Sequence, residues 1–218
     1  MPVITPSLPR PGENTVRILH EDAWLLLVEK PAGLLSVPGR LPQNRDSVAL
    51  RVHAMYPEAL IVHRLDQVTS GLLLMARDPA THRALSEAFA ARKIDKRYEA
   101  LVEGVIEDDA GEIDLPLICD WPNRPRQKVD HDAGKPSRTR WRVMSRDEAT
   151  SSTRLELEPL TGRSHQLRVH LAEIGHPIQG DAFYGAASAA RVCLHATRLA
   201  FNHPSTGRRV EFSSSPPF

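Results

Sequence analysis

At 218 residues and 41% hydrophobic, the chain can bury a core of its own without disulfide or metal staples. Its two cysteines, Cys119 and Cys193, show no C-x-x-C spacing, which argues against a metal cluster and for a reducing compartment. Net charge is only +1, but the charges are segregated: Asp120 to Arg146 carries eight Lys or Arg against three Asp, and Glu103 to Asp114 carries six acidic residues and no basic one.

One face of a nearly neutral protein can therefore be cationic. The first residues, MPVITPSLPRPGENT, hold four prolines with no apolar core and no basic head, so 1–14 read as a loose tail rather than a signal peptide. TVRILH and AWLLLVEK then form a hairpin pair turned at Glu21 and Asp22, followed by a Gly/Pro loop, GLLSVPGR. LIV and LLLMA read as two buried strands, and the stretch between them, HRLDQVTSG, is their connection. Apolar runs of this kind are strand-sized and far short of a membrane span, so a soluble, cytoplasmic protein is expected.

Asp78 followed by Pro79 signals a helix start, and Leu85, Ala88 and Phe89 keep helical spacing up to about Lys93. RYEALVEG alternates, with Tyr98, Ala100 and Val102 on one face of a strand. SRTRWRV alternates as well: Thr139, Trp141 and Val143 face one way, and Arg138, Arg140 and Arg142 make a basic stripe on the other. RLELEPLTG is a further strand. It leads into a helix expected to be N-capped by Ser164, to bury a stripe of Leu167, Leu171 and Ile174, and to stop at Gly175. CLHATRLAFNHPSTGRRVEF closes the chain as a hairpin.

Strands that follow strands, with few helices, predict an α+β fold in a single domain over 15–218. No G-x-G-x-x-G, P-loop, H-E-x-x-H or G-x-S-x-G occurs. The ten histidines show no ligand spacing, since His165 and His170 stand five apart on the expected helix, so no metal site is expected.

Five blocks, EKPAGLLSVPG, HRLDQVTSGLLLMA, KRYEALVEG, GRSHQLRVHLAEIGHPIQGD and LHATRLAFNHP, stand in the order found in the RluA-type pseudouridine synthases, and the chain resembles that family over nearly its whole length after the tail. LPLICDWPNRPRQKV and GKPSRT are similar to the corresponding segments of members that act on both ribosomal RNA and tRNA. The resemblance implies a mixed, mostly antiparallel sheet with flanking helices around a catalytic cleft. It also implies isomerisation of uridine to pseudouridine in RNA stem-loops, such as a large-subunit rRNA loop and a tRNA anticodon loop, without any cofactor. About 15 residues precede the first strand, too few for the S4-type RNA-binding domain that several relatives carry. A monomer is expected.

The same resemblance implies a role for individual residues. Asp66 is the carboxylate aimed at the sugar, as nucleophile or base, and both roles need the anion. Arg168 pairs with it; a solvated helix arginine is the alternative, because Arg168 lies off the apolar stripe. Tyr98 stacks on the target uracil, against the plainer reading of a core tyrosine. The nucleotide must be flipped out to reach Asp66, and Arg64 matches the residue that approaches the vacated space. Phosphate contacts are expected from the Arg138, Arg140 and Arg142 stripe and from the loop holding Trp121, Arg124, Arg126 and Lys128, with a solvated sheet face as the alternative for the stripe. A glycosidase would want two flanking carboxylates, and no second acid is read in the motif blocks.

Overall fold

The computed structural model describes residues 15–187 and 189–218; the expected 1–14 tail lies outside the described residues. Strand β1 (Arg17–Glu21) pairs antiparallel with β2 (Leu25–Lys30). Asp22 closes their turn by accepting hydrogen bonds from the amides of Trp24 and Leu25 at 2.8 and 2.9 Å. A short helix α1 (Val48–His53) follows, capped by Ser47, then β3 (Leu60–Ile61), β4 (Ser70–Ala76) and helix α2 (Pro79–Ala90). Asp78 caps α2 as its position before Pro79 predicts, accepting from the amides of Ala80 and Thr81.

The second half contains β5 (Asp95–Glu103), β6 (Ala110–Asp114), β7 (Leu117–Cys119), β8 (Gln127–Val129), β9 (Arg138–Asp147) and β10 (Ser152–Pro159). Helix α3 (Gln166–Glu173) and the hairpin β11 (Leu194–Asn202) and β12 (Arg209–Ser213) close it. The main sheet runs β1-β2-β4-β11-β5-β10-β9-β6, with β3 also on β4 and β12 also on β11, while β7 and β8 form a separate ribbon. All its pairings are antiparallel except β4 with β11, which meet through Ser70 opposite His195 and Gly71 opposite Ala196. This mostly antiparallel mixed sheet is the expected α+β architecture.

The parallel contact joins two half-sheets, and Gly71 makes it possible. Its φ is +109°, and a Cβ there would lie 2.3 Å from the carbonyl oxygen of Ala196, so no larger residue fits without moving backbone. Separate apolar clusters lie to either side of the join: Leu26, Val28, Val48, Leu65 and Leu73 with α1, and Ala100, Val102, Trp141, Leu155, Leu157 and Leu171 with α3. Tyr98 packs against both.

Helix α3 departs from its sequence reading. Its N-cap is His165 in the left-handed region (φ 52°, ψ 17°), so Ser164 stays outside the helix. The start is tied instead by Gln166, whose Oε1 accepts from the Thr161 hydroxyl at 2.7 Å and the Arg163 amide at 3.0 Å. Every residue from Gln166 to Leu171 is buried, Arg168 and His170 included, because Val169 packs against Leu117 and Tyr184 on the side away from the sheet. A solvated Arg168 is thereby excluded. Gly175 does end the helix, with φ +88°.

Candidate active site

HRLDQVTSG spans the connection from β3 to β4, whose pairing sets Leu60 opposite Ala76 and Ile61 opposite Met75. The residues on either side of Asp66 are pinned to the KPAGLLS loop. The Ser36 hydroxyl donates to the Leu65 carbonyl at 2.8 Å and accepts from the Leu65 amide at 3.0 Å. The Gln67 carbonyl accepts from the Gly33 amide at 2.8 Å and from Lys30 Nζ at 2.9 Å. With both neighbours fixed, the Asp66 side chain has a defined direction. The Thr69 amide closes the turn on the Asp66 carbonyl at 3.1 Å.

Asp66 faces a cleft of about 880 Å³ that it shares with Tyr98, His165, Arg168 and Arg64. Its side chain is 20% exposed, and Oδ2 stands 3.6 Å from Arg168 Nη1. Arg168 in turn is gripped by Asp181, which accepts from Nε at 2.6 Å and from Nη2 at 2.8 Å. Burial alone would lower the Arg168 pKa, but the hydrogen bonds and charge of Asp181, with the Asp66 charge, more than offset this and raise it. The rings of Tyr184 and Phe183 flank the guanidinium at 5.1 and 5.6 Å. Burial, and secondarily the Asp66 anion, push the Tyr98 phenol well above its ordinary range, so the hydroxyl keeps its proton at neutral pH.

The other two acids of the cleft are engaged elsewhere: Glu158 pairs with Arg97 at 3.0 Å, and Asp95 is bound by Arg209. Four cations at the cleft, Arg64, Arg92, Lys96 and Arg163, make no ion pair among the described residues. The expected basic stripe is different. Arg138 and Arg140 both bind Glu112 of β6, and Arg142 binds Glu156 of β10 at 3.1 Å. Only Arg138 of the three also lines the cleft. The stripe is thus a charge-paired sheet face, close to its plainer reading. In the loop after β7, the Arg124 guanidinium lies 4.3 Å over the exposed Trp121 ring and Arg126 lies 5.5 Å over Tyr184, while Lys128 on β8 is 3.8 Å from Asp130.

Residues 24–173 match the family model of RNA pseudouridylate synthases. The chain is 49% identical over 205 residues to the dual-specificity RNA pseudouridine synthase RluA of Yersinia pestis, covering 92% of this chain and 99% of that protein. It is 46% identical over 212 residues to RluA of Escherichia coli K12, covering 95% and 96%. Human RNA pseudouridylate synthase domain containing 1 superposes with a TM-score of 0.80 at 27% identity, over 97% of this chain and 87% of that one. The chain belongs to the RNA pseudouridylate synthase family.

For a pseudouridylate synthase of this kind, sequence reasoning brought Asp66, Tyr98, Arg168 and Arg64 to one cleft, and it missed others. Asp181 is a second acid inside a motif block, contrary to expectation. It is 2% exposed and turned onto Arg168, so it is not a flanking glycosidase carboxylate. Arg92, Lys96 and Arg163 were overlooked, although Lys96 stands two residues before Tyr98 on the same strand. Lys30 was read only as part of a block, yet it is fully buried and anchors the loop that carries Asp66.

Proposed function

We propose that this pseudouridylate synthase converts uridine to pseudouridine in both large-subunit rRNA and tRNA stem-loops, with residues 15–218 acting as one catalytic domain. The observation that carries the reading is the state of Asp66. Among the described acids lining the cleft it alone has no cation in close contact: Asp95 is bound by Arg209 and Glu158 pairs with Arg97 at 3.0 Å, whereas the nearest guanidinium to Asp66, fixed and positively charged, stands 3.6 Å away. That arrangement favours an anion without occupying it. Both routes to breaking the glycosidic bond, attack at C1′ or proton removal at C2′, require such an anion against the sugar.

Tyr98 supplies a ring face beside Asp66 on which the flipped uracil stacks, and its neighbours on β5 hold it between the two apolar clusters. Arg64, exposed at the cleft mouth and without an ion pair, follows the base into the cleft or fills the space it leaves. Arg138 at the cleft, with Arg124, Arg126 and Lys128 from the segment between β7 and the end of β8, supplies phosphate or base contacts. Dual specificity is supported by relatives named as dual-specificity RNA pseudouridine synthases that align over nearly their full length. In this reading the enzyme acts as a monomer in the cytoplasm; the reducing compartment accords with the two free cysteines, and none of the described helices is long and apolar enough to cross a membrane.

The test combines chemistry and cell. Purified protein should release tritium from uridine labelled at C5 in a target stem-loop while leaving the RNA mass otherwise unchanged, and Asp66→Asn should reduce that rate by at least about 10²–10⁴-fold with RNA binding retained. Carbodiimide mapping of RNA from a deletion strain should show loss at an rRNA and a tRNA uridine. Loss of only one class would restrict the substrate, and an active Asp66→Asn would overturn the assignment.

A further inference from the structure

We propose that His165 is a specificity-determining residue whose Nε2–H is the donor that holds an exocyclic carbonyl of the flipped uracil. The inference rests on the pseudouridine synthase reading of the cleft. His165 lines that cleft with Asp66 and Tyr98, and its backbone carbonyl accepts from the Val169 amide at 2.9 Å in the first turn of α3. A non-glycine residue held at φ +52° is kept there by its surroundings, and such positions concentrate where a side chain must be aimed.

The hydrogen bonds around Tyr184 fix which ring nitrogen carries the proton. Nδ1 of His165 lies 2.6 Å from the Tyr184 hydroxyl, and that oxygen already accepts from the Gln127 amide at 2.9 Å. The phenolic proton has no other acceptor among the described residues. The network that orphans no donor has Tyr184 donating to Nδ1, which leaves the proton on Nε2. Nε2 has no partner among the described residues, and no buried side-chain nitrogen or oxygen lacks one, so Nε2 opens onto the cleft. Burial keeps the ring from charging, outweighing the pull of Asp66.

A donor at this point suits the reaction. When uracil turns about the axis through C6 and N3, N1 and C5 change places, and so do the carbonyls at C2 and C4. One fixed N–H therefore meets a carbonyl oxygen before and after the turn. Cytosine would set its 4-amino group against the same N–H in one of the two orientations, and two donors facing each other there disfavour that base.

The experiment crosses enzyme and substrate: wild type and His165→Asn, each with target stem-loops carrying uridine, 2-thiouridine or 4-thiouridine. Asn tolerates the left-handed backbone and keeps an amide near the Nδ1 position while removing the donor at Nε2. Wild-type turnover of plain uridine tests the activity itself, independently of His165. We expect roughly tenfold lower kcat/KM for His165→Asn on uridine, a similar drop for wild type on one of the thio substrates, and little further drop when the two are combined. His165→Gln, whose amide reaches the Nε2 position, should recover part of the loss. Should His165→Asn fold poorly, Tyr184→Phe, which releases the tautomer, should show the same reduced thio effect. Additive losses, or wild-type kcat/KM in His165→Asn, would overturn the proposal.

Discussion

Arg168 is held by Asp181 and only approached by Asp66: two hydrogen bonds of 2.6 and 2.8 Å join it to the first carboxylate, and 3.6 Å separates it from the second. The partner that shares its hydrogen bonds is the more deeply buried of the two. Arg168 is thereby a fixed positive charge beside Asp66 rather than a clamp on it. Removing one member of a buried pair leaves the other uncompensated, at about 3–5 kcal/mol. Asp181→Asn should lose stability of that order in chemical denaturation. It should also lower kcat with little change in RNA affinity, since Arg168 becomes free to close on Asp66. Wild-type stability and turnover in this variant would contradict the positioning role.

Tyr98 separates ring from hydroxyl. Base stacking on an aromatic side chain contributes about 1–3 kcal/mol, so Tyr98→Leu should weaken binding of a target stem-loop by that amount, while Tyr98→Phe should bind as wild type. Equal binding by Leu and Phe variants in a filter or fluorescence titration would remove stacking from the account.

Charge pairing divides the arginines into two groups with different salt behaviour. Arg64 and Arg92 carry charge not already satisfied, whereas Arg140 and Arg142 are engaged by Glu112 and Glu156. Arg64→Gln or Arg92→Gln should reduce the slope of log K against log salt by about 1 each. Arg140→Gln and Arg142→Gln should leave it nearly unchanged. The reverse pattern would return the phosphate contacts to the β9 stripe.

Lys30 introduces a pH dependence of stability. Burial, with the Arg191 charge adding and the Asp66 charge opposing, lowers its pKa to about 7 from an ordinary 10.5. Between those values the unfolded chain binds the proton and the folded chain does not, so stability rises with pH across this window and is flat with respect to Lys30 below it. Measured against Lys30→Met, wild type should gain stability as pH rises from 7 to 10. A pH-independent difference would mean that Lys30 keeps its ordinary titration.

Much of the fold was legible because alternation is local. The faces of β9 were correct, with Thr139 and Trp141 buried, as were the cap of α2 and the stop at Gly175. Helix α1 and the ribbon of β7 and β8 escaped because six and three residues are too few to establish a period. On α3 the stripe of Leu167, Leu171 and Ile174 was legible, but the cap at His165 and the burial of Arg168 and His170 were not, because a helix buried on more than one face has no polar side to mark them. In the site, Asp66 and Tyr98 could be named from motif blocks. Asp181 and the neutralised stripe could not, since ion pairs across strands follow from register, such as Glu112 opposite Arg140 and Glu156 opposite Arg142.

The parallel contact at Ser70 and Gly71 has a consequence for assembly. Asp66 is delivered by the N-terminal half of the molecule, whereas Tyr98 on β5, Arg168 on α3 and Asp181 beyond that helix belong to the C-terminal half, so neither half carries a complete set of reacting groups. In refolding, recovery of turnover should follow the docking of the halves and lag behind the return of β-structure. Gly71→Ala, placed at that seam, should widen the delay, so that catalysis reports the final step by which the molecule becomes whole.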